Sequence, residues 1–151
     1  MTQRVDLSTV MDRLAIDDLV TGYAVAVDDG DWSAFRDLFT DDGRMDCRSP
    51  GGIEGAIPEV TDWLTQSLRP FPVRQHLIVN RRVTIQDLGG YPGDRAEVQA
   101  DYVCPMRWES GEDLVAGGRY RFSLTRTDEG WRLSGVVVQE RWRRTSTDRS
   151  D

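Results

Sequence analysis

His76 is the single histidine of the chain, and Asp28 is a carboxylate in an electrostatically awkward place. Their residue types suit acid–base chemistry. Histidine is the side chain whose unperturbed pKa lies near neutrality, so it takes and returns protons at physiological pH. A carboxylate bound to one imidazole nitrogen fixes the tautomer, raises the ring's basicity and leaves the other nitrogen to accept a proton. Such a pair moves protons without being a nucleophile. Serine-hydrolase chemistry needs a positioned serine, and no nucleophile-elbow motif is present. Schiff-base catalysis and a Walker-type phosphate loop need lysine, but all 19 basic residues are arginine. With one histidine, and with Cys47 and Cys104 lacking metal-ligand spacing, a zinc site cannot be assembled. The expected chemistry therefore uses no cofactor and no metal.

Asp28 must be carried by the first long helical segment, Thr9 to Val27. Ile16, Leu19, Val20, Tyr23, Ala24 and Val27 fall at helical spacing and form a core-facing stripe. Thr9 and Asp12 make a capping-box pattern, and Gly30 suits the position just past the helix end. Asp28 falls at the flank of the apolar stripe, in the last turn. A carboxylate there meets the negative end of the helix dipole, at a cost of roughly 0.3–1 kcal/mol when exposed. Departures of this kind are expected where a site overrides local preference. The alternative is that Asp28 and Asp29 are solvated loop residues.

His76 must be carried by an extended run from Val73 to Asp87. Alternation puts Leu77, Val79, Val83 and Ile85 on one face and His76, Ile78 and Asn80 on the other. Between the two, Asp31 is placed to cap a short helix, Trp32 to Phe39. Asp41-Asp42-Gly43 reads as a turn, and Arg44 to Arg48 as a strand with Met45 and Cys47 on one face. Ser49-Pro50-Gly51-Gly52 breaks that strand. A third helix, Ile57 to Leu68, has Pro58 in its first turn and the stripe Ile57, Val60, Leu64 and Leu68. After His76, Leu88 to Asp94 is a Gly/Pro loop. Ala96 to Trp108 alternates with Ala96, Val98, Ala100, Tyr102, Cys104, Met106 and Trp108 inward, and Pro105 suggests a bulge or an edge. Leu114 to Arg126 puts Tyr120, Phe122 and Leu124 inward. Asp128-Glu129-Gly130 is a hairpin turn into the last strand, Trp131 to Trp142. Residues 1–7 and 143–151 are polar and aperiodic.

Helices followed by a strand meander define an α+β fold with a curved antiparallel sheet, closed by three N-terminal helices around a pocket. The 151 residues make one domain, 1–151, with a core at about 9–142, and about 68–70% of the unfolded surface can be buried at this size. A net charge of -7 argues against nucleic-acid partners. No apolar run approaches the ~20 residues of a membrane span, and no signal-peptide pattern opens the chain, so a cytoplasmic protein with reduced thiols is expected. Val136, Val137 and Val138 in a row make both sheet faces apolar there, which predicts a homodimer or homotrimer.

Tyr23-Ala24 through Asp28-Asp29-Gly30-Asp31-Trp32, then Leu38-Phe39-Thr40-Asp41-Asp42-Gly43, resembles the opening of SnoaL-like proteins. Arg74-Gln75-His76-Leu77-Ile78-Val79-Asn80, Gly118-Arg119-Tyr120 and Gly130-Trp131-Arg132-Leu133 continue the resemblance, which spans roughly Val10 to Trp142. Order and spacing, not any single motif, carry it. It implies the cone-shaped α+β superfamily of nuclear transport factor 2, scytalone dehydratase and ketosteroid isomerase. The branch most alike contains hexachlorocyclohexane dehydrochlorinase and scytalone dehydratase. There an aspartate at the Asp28 position orients a histidine at the His76 position, which removes a proton from carbon as a leaving group departs. Two departures stand out. Tyr23 replaces the dehydrochlorinase lysine, and the dehydratase's second histidine is missing. The epoxide hydrolase Arg-x-Asp is met only by Gln99-Ala100-Asp101, and the late strands lack a cyclase-type aspartate in their interiors.

The expectation is a lyase or isomerase acting on a small hydrophobic, cyclic substrate. Asp28 and His76 are the dyad and Tyr23 a hydrogen-bond donor. Trp32, Met45, Trp63, Asn80, Tyr102, Trp108, Tyr120 and Trp142 are the expected substrate contacts, readable equally as core. The alternatives are a polyketide cyclase-like enzyme, or a ligand-binding or assembly module without catalysis on the same fold.

Overall fold

The computed structural model describes residues 6–86 and 89–146. The expected polar ends at 1–5 and 147–151, and positions 87–88 of the expected strand end and loop, lie outside them. The chain runs α1 (Leu7–Asp29), α2 (Trp32–Asp37), β1 (Phe39–Asp46), β2 (Glu54–Ala56), α3 (Ile57–Leu68), β3 (Val73–Arg74), β4 (Leu77–Gln86), β5 (Arg95–Arg107), β6 (Asp113–Thr127) and β7 (Gly130–Thr145). The strands form one sheet in the order β2-β1-β7-β6-β5-β3, with β4 also on β5. The sheet curls into a half-barrel closed by the helices, which is the expected α+β cone. It is mixed and not purely antiparallel, because β1 returns parallel to β7.

Burial follows the sequence periodicities. Ile16, Val20, Tyr23, Ala24 and Val27 are buried on α1, as are Ile57, Val60 and Leu64 on α3. From the sheet, Val98, Phe122, Leu124, Leu133 and Val136 meet them. Each such side chain contributes about 1.5–3 kcal/mol when taken from water. α1 begins earlier than Thr9, with Asp6 at its N-cap and no side-chain cap bond. Asp12 is therefore not a capping residue. It binds Arg126 and the Trp131 indole across the molecule. Asp31 does cap α2, accepting from the Ala34 N–H at 3.1 Å. The expected turn Asp41-Asp42-Gly43 lies inside β1, where the pairing to β7 slips between Phe39 and Arg44.

The Val73 to Asp87 run divides. β3 and β4 share one register on β5, interrupted at Gln75 and His76. Gln75 N–H donates to the Pro105 carbonyl at 3.0 Å, and proline has no N–H to return. Pairing from β5 to β6 continues unbroken through Pro105, so it is not a bulge. Within β4 the register shifts between Val79 and Arg82, and Asn80 adopts φ 52°. Asparagine is among the few residues that tolerate this region. The extra residue inverts the alternation. Ile78 faces the core before it, Val83 and Ile85 after it, while Leu77 and Val79 are exposed. The expectation that these four share a face fails for that reason.

Candidate active site

α1 ends at Gly30 in the left-handed conformation, whose N–H turns back to the Val27 carbonyl at 3.2 Å, one of the last carbonyls of the helix. Arg74 shares that carbonyl, its Nε donating to Val27 O at 2.8 Å and its Nη1 to Phe71 O at 3.0 Å. This cation at the helix C-terminus offsets the field that made Asp28 awkward. Two residues further on, His76 meets Asp28 twice. Its backbone N–H donates to Asp28 Oδ2 at 2.8 Å, and its Nδ1 lies 2.6 Å from Oδ1. That N–H is directed away from β5, on the open edge of the sheet, so an edge group with no strand partner grips the carboxylate. Both carboxylate oxygens are engaged, so its orientation is fixed relative to the ring.

Nδ1 is the proton donor to Asp28, which leaves Nε2 as the nitrogen with a free lone pair in the neutral ring. His76 and Asp28 side chains are only 11% and 17% exposed. Burial alone would lower the histidine pKa. The Asp28 hydrogen bond, with the Cys104 side chain beside the ring, outweighs it and holds the imidazole at about 9.

His76 lines a cavity of about 260 Å³ together with Tyr23, Val27, Met45, Cys47, Trp63 and Leu64. Phe71, Tyr102, Cys104, Met106, Tyr120 and Val138 complete most of its wall. Burial pushes the Cys47 thiol up to about 12, so it is an apolar wall group and not a thiolate. Tyr23 and Tyr120 cross edge to face at 5.4 Å, and burial holds both phenols well above their ordinary pKa. Both hydroxyls belong to the cavity wall, where each phenol stays neutral. A larger hollow of about 700 Å³ is lined mainly by polar side chains such as Thr84, Gln86, Arg95 and Glu97. It holds no part of the dyad, and size alone does not make it the site. Among the described residues, no group of three or more His, Cys, Asp or Glu is placed to hold a metal ion.

Of the expected contacts, Met45, Trp63, Tyr102 and Tyr120 line the dyad cavity, as does Tyr23. Four do not. Trp32 packs edge-on against Phe35, centroids 5.6 Å apart, in the helix layer. The bulge turns Asn80 outward, where it donates to Asp101 at 3.0 Å. Trp108 stacks on Phe71 beyond the wall. Trp142 lies over Gly117 on the outer sheet face, nearly half exposed. Sequence reasoning missed Arg74, Cys104, Glu140 and Arg143. Glu140 had a usable signal, because it continues the inward series Val136, Val138 of β7.

A curled half-barrel, closed by helices over an apolar cavity with an aspartate-held histidine in its wall, defines a cone-shaped α+β protein. The family model for SnoaL-like domains matches residues 8–137, and the chain belongs to that family. The uncharacterized protein Rv2910c of Mycobacterium tuberculosis is 32% identical over 129 residues, 84% of either chain. A Novosphingobium aromaticivorans structure carrying the provisional name of an aromatic ring hydroxylase is 29% identical, with TM-score 0.78 over 92% of this chain and 96% of that one. A hexachlorocyclohexane dehydrochlorinase, LinA type 2, superposes with TM-score 0.80 at 19% identity, covering 97% of each chain. At that identity the likeness establishes the fold. No helix of the described residues is long and apolar enough to cross a membrane.

Proposed function

We propose that this protein is a cofactor-independent lyase or isomerase that removes a proton from carbon in a small, hydrophobic, cyclic substrate. The observation that carries the reading is the double hold of Asp28 on His76, 2.6 and 2.8 Å, in the wall of an apolar cavity. His76 Nε2 takes the C–H proton, and Asp28 stabilises the imidazolium that forms. In an elimination, the C–H electrons become the new C=C bond as the β-substituent leaves with its bonding pair. In an isomerisation, the imidazolium returns the proton to a different carbon. Tyr23, a neutral phenol lining the same cavity as His76, is the donor toward a carbonyl or leaving group. The SnoaL-like family and the dehydrochlorinase-like fold support this class of chemistry.

The test is turnover of cyclic β-hydroxy and β-halo ketones, followed by ultraviolet absorbance of the conjugated product. His76→Gln and Asp28→Asn are expected to remove the signal while the circular dichroism of the folded protein is retained. Near-normal turnover in either variant would refute the dyad mechanism. Loss of folding in both would make the pair a structural hydrogen bond.

A further inference from the structure

The mechanism above uses one pole of the cavity and leaves the other unexplained. On β7 the inward series Val136, Val138 ends in Glu140, whose side chain is only 15% exposed. Inward carboxylates on an apolar sheet face are costly unless paired. Arg143 supplies the pair, its Nε donating to Glu140 Oε1 at 2.8 Å. A second register shift makes this possible. Gly117 pairs with Trp142 but Gly118 with Glu140, so Arg141 is an extra residue. A Cβ on Gly118 would sit 2.0 Å from Gln139 O, so no larger residue fits that crossing. The shift sends Trp142 outward over Gly117 and lets Arg143 turn back to the cavity, where its Nη2 also reaches Pro50 O at 3.5 Å. Glu140, Arg143 and Tyr102 line the same cavity as His76. Glu140 faces Tyr102 closely enough to reinforce the effect of burial, which raises the Tyr102 phenol above its ordinary pKa.

We infer that the Glu140–Arg143 pair is the polar subsite of this cavity and that it selects an uncharged, hydroxyl-bearing hydrophobic ligand. The inference deepens the proposed function, resting on its reading of this cavity as the ligand site, but it does not require His76 to act as a base. The pair's own charges cancel. An anionic ligand would gain Arg143 but face Glu140, and a cationic one would gain Glu140 but face Arg143. A wholly apolar ligand would offer nothing to the second oxygen of Glu140, which is largely buried, while the half-exposed guanidinium of Arg143 keeps contact with solvent. A hydroxyl meets both, donating to the carboxylate and accepting from the guanidinium. Hydrogen bonds to charged groups are the stronger kind, so the preference should be readable.

Binding of 2-naphthol, naphthalene and 2-naphthoate, measured at pH 7 by quenching of the protein's tryptophan emission, tests this. The wild-type protein should bind 2-naphthol about tenfold or more tighter than either of the others. Glu140→Gln and Arg143→Met should each erase most of that preference while leaving naphthalene affinity and the melting temperature near the parent values. His76→Gln should keep it, which separates this subsite from the dyad. Equal affinity for naphthol and naphthalene, tighter binding of naphthoate, no binding of any probe, or an intact preference in both variants would overturn the inference.

Discussion

Two aspartates of α1 are each held by donors from the sheet side, and only one of them, Asp28, grips a residue of the cavity wall. Toward the start of the helix, Asp12 accepts from Arg126 Nη1 at 3.0 Å and Nη2 at 2.8 Å, and from Trp131 Nε1 at 3.2 Å. Arg126 also binds Asp94, which is 1% exposed, at 3.1 Å, and its guanidinium lies 4.5 Å above the Trp131 ring. At the other end, Asp28 holds His76. The first cluster joins groups that stay charged across the physiological range, and none of them lines the dyad cavity. The second pairs a carboxylate with a ring that titrates and that lines the cavity. The same helix thus carries a charge clamp at one end and a carboxylate–imidazole pair at the other. What separates them is partner type and access to the cavity, not burial.

The sharpest break in this comparison is at the dyad. His76→Gln or Asp28→Asn should lower turnover 10²–10⁴-fold, roughly the worth of a positioned general base, in a protein that still folds. At the clamp the outcome should be reversed. Arg126→Met removes a cation that binds both Asp12 and Asp94, and breaking such a buried pair costs about 3–5 kcal/mol. Denaturant unfolding should show that loss, while naphthalene binding in the cavity stays unchanged in the fraction that remains folded.

The two ends should also separate in pH. A base must be neutral to act, and His76 is held at about 9, so kcat/KM should climb from pH 6, reach half its maximum near pH 9 and level off above that. Asp28→Asn removes a raising partner, so its rise should move to lower pH, with a lower plateau. Stability runs the other way. The folded pKa lies above the ordinary value of about 6.5, so the pairing stabilises fully below that pH and is lost as pH rises through about 9. The loss is at most about 3 kcal/mol at 1.36 kcal/mol per pKa unit. Melting curves of the parent should fall over this window, and those of His76→Gln should not. The smallest effect concerns assembly. Val137 stands on the outer face at 47% exposure, and we propose that it lies in a homodimer or homotrimer contact. Sedimentation at micromolar concentration should give an oligomer that Val137→Asp weakens, and a clean monomer for the parent would dismiss the proposal.

Much of this molecule was legible from local pattern. The α1 stripe, the Asp31 cap, α3 from Ile57 to Leu68 and the β5 and β6 alternations follow from short-range periodicity and sterics, and all appear in the structure. Asp28 and His76 stood out because their residue types clash with their places in a helix end and a strand. What the sequence could not determine are features that depend on register. The slip at Asn80 reverses which β4 residues face inward, and the slip at Gly117-Gly118 turns Trp142 out and Arg143 in. A one-residue shift in pairing moves side chains to the opposite face, yet it leaves almost no trace in composition. The parallel return of β1 onto β7 is likewise a long-range choice, made where hydrogen-bonding edges meet. Tertiary structure alone therefore decided which aromatics became cavity wall, and that a second carboxylate, Glu140, shares the cavity with the first pair.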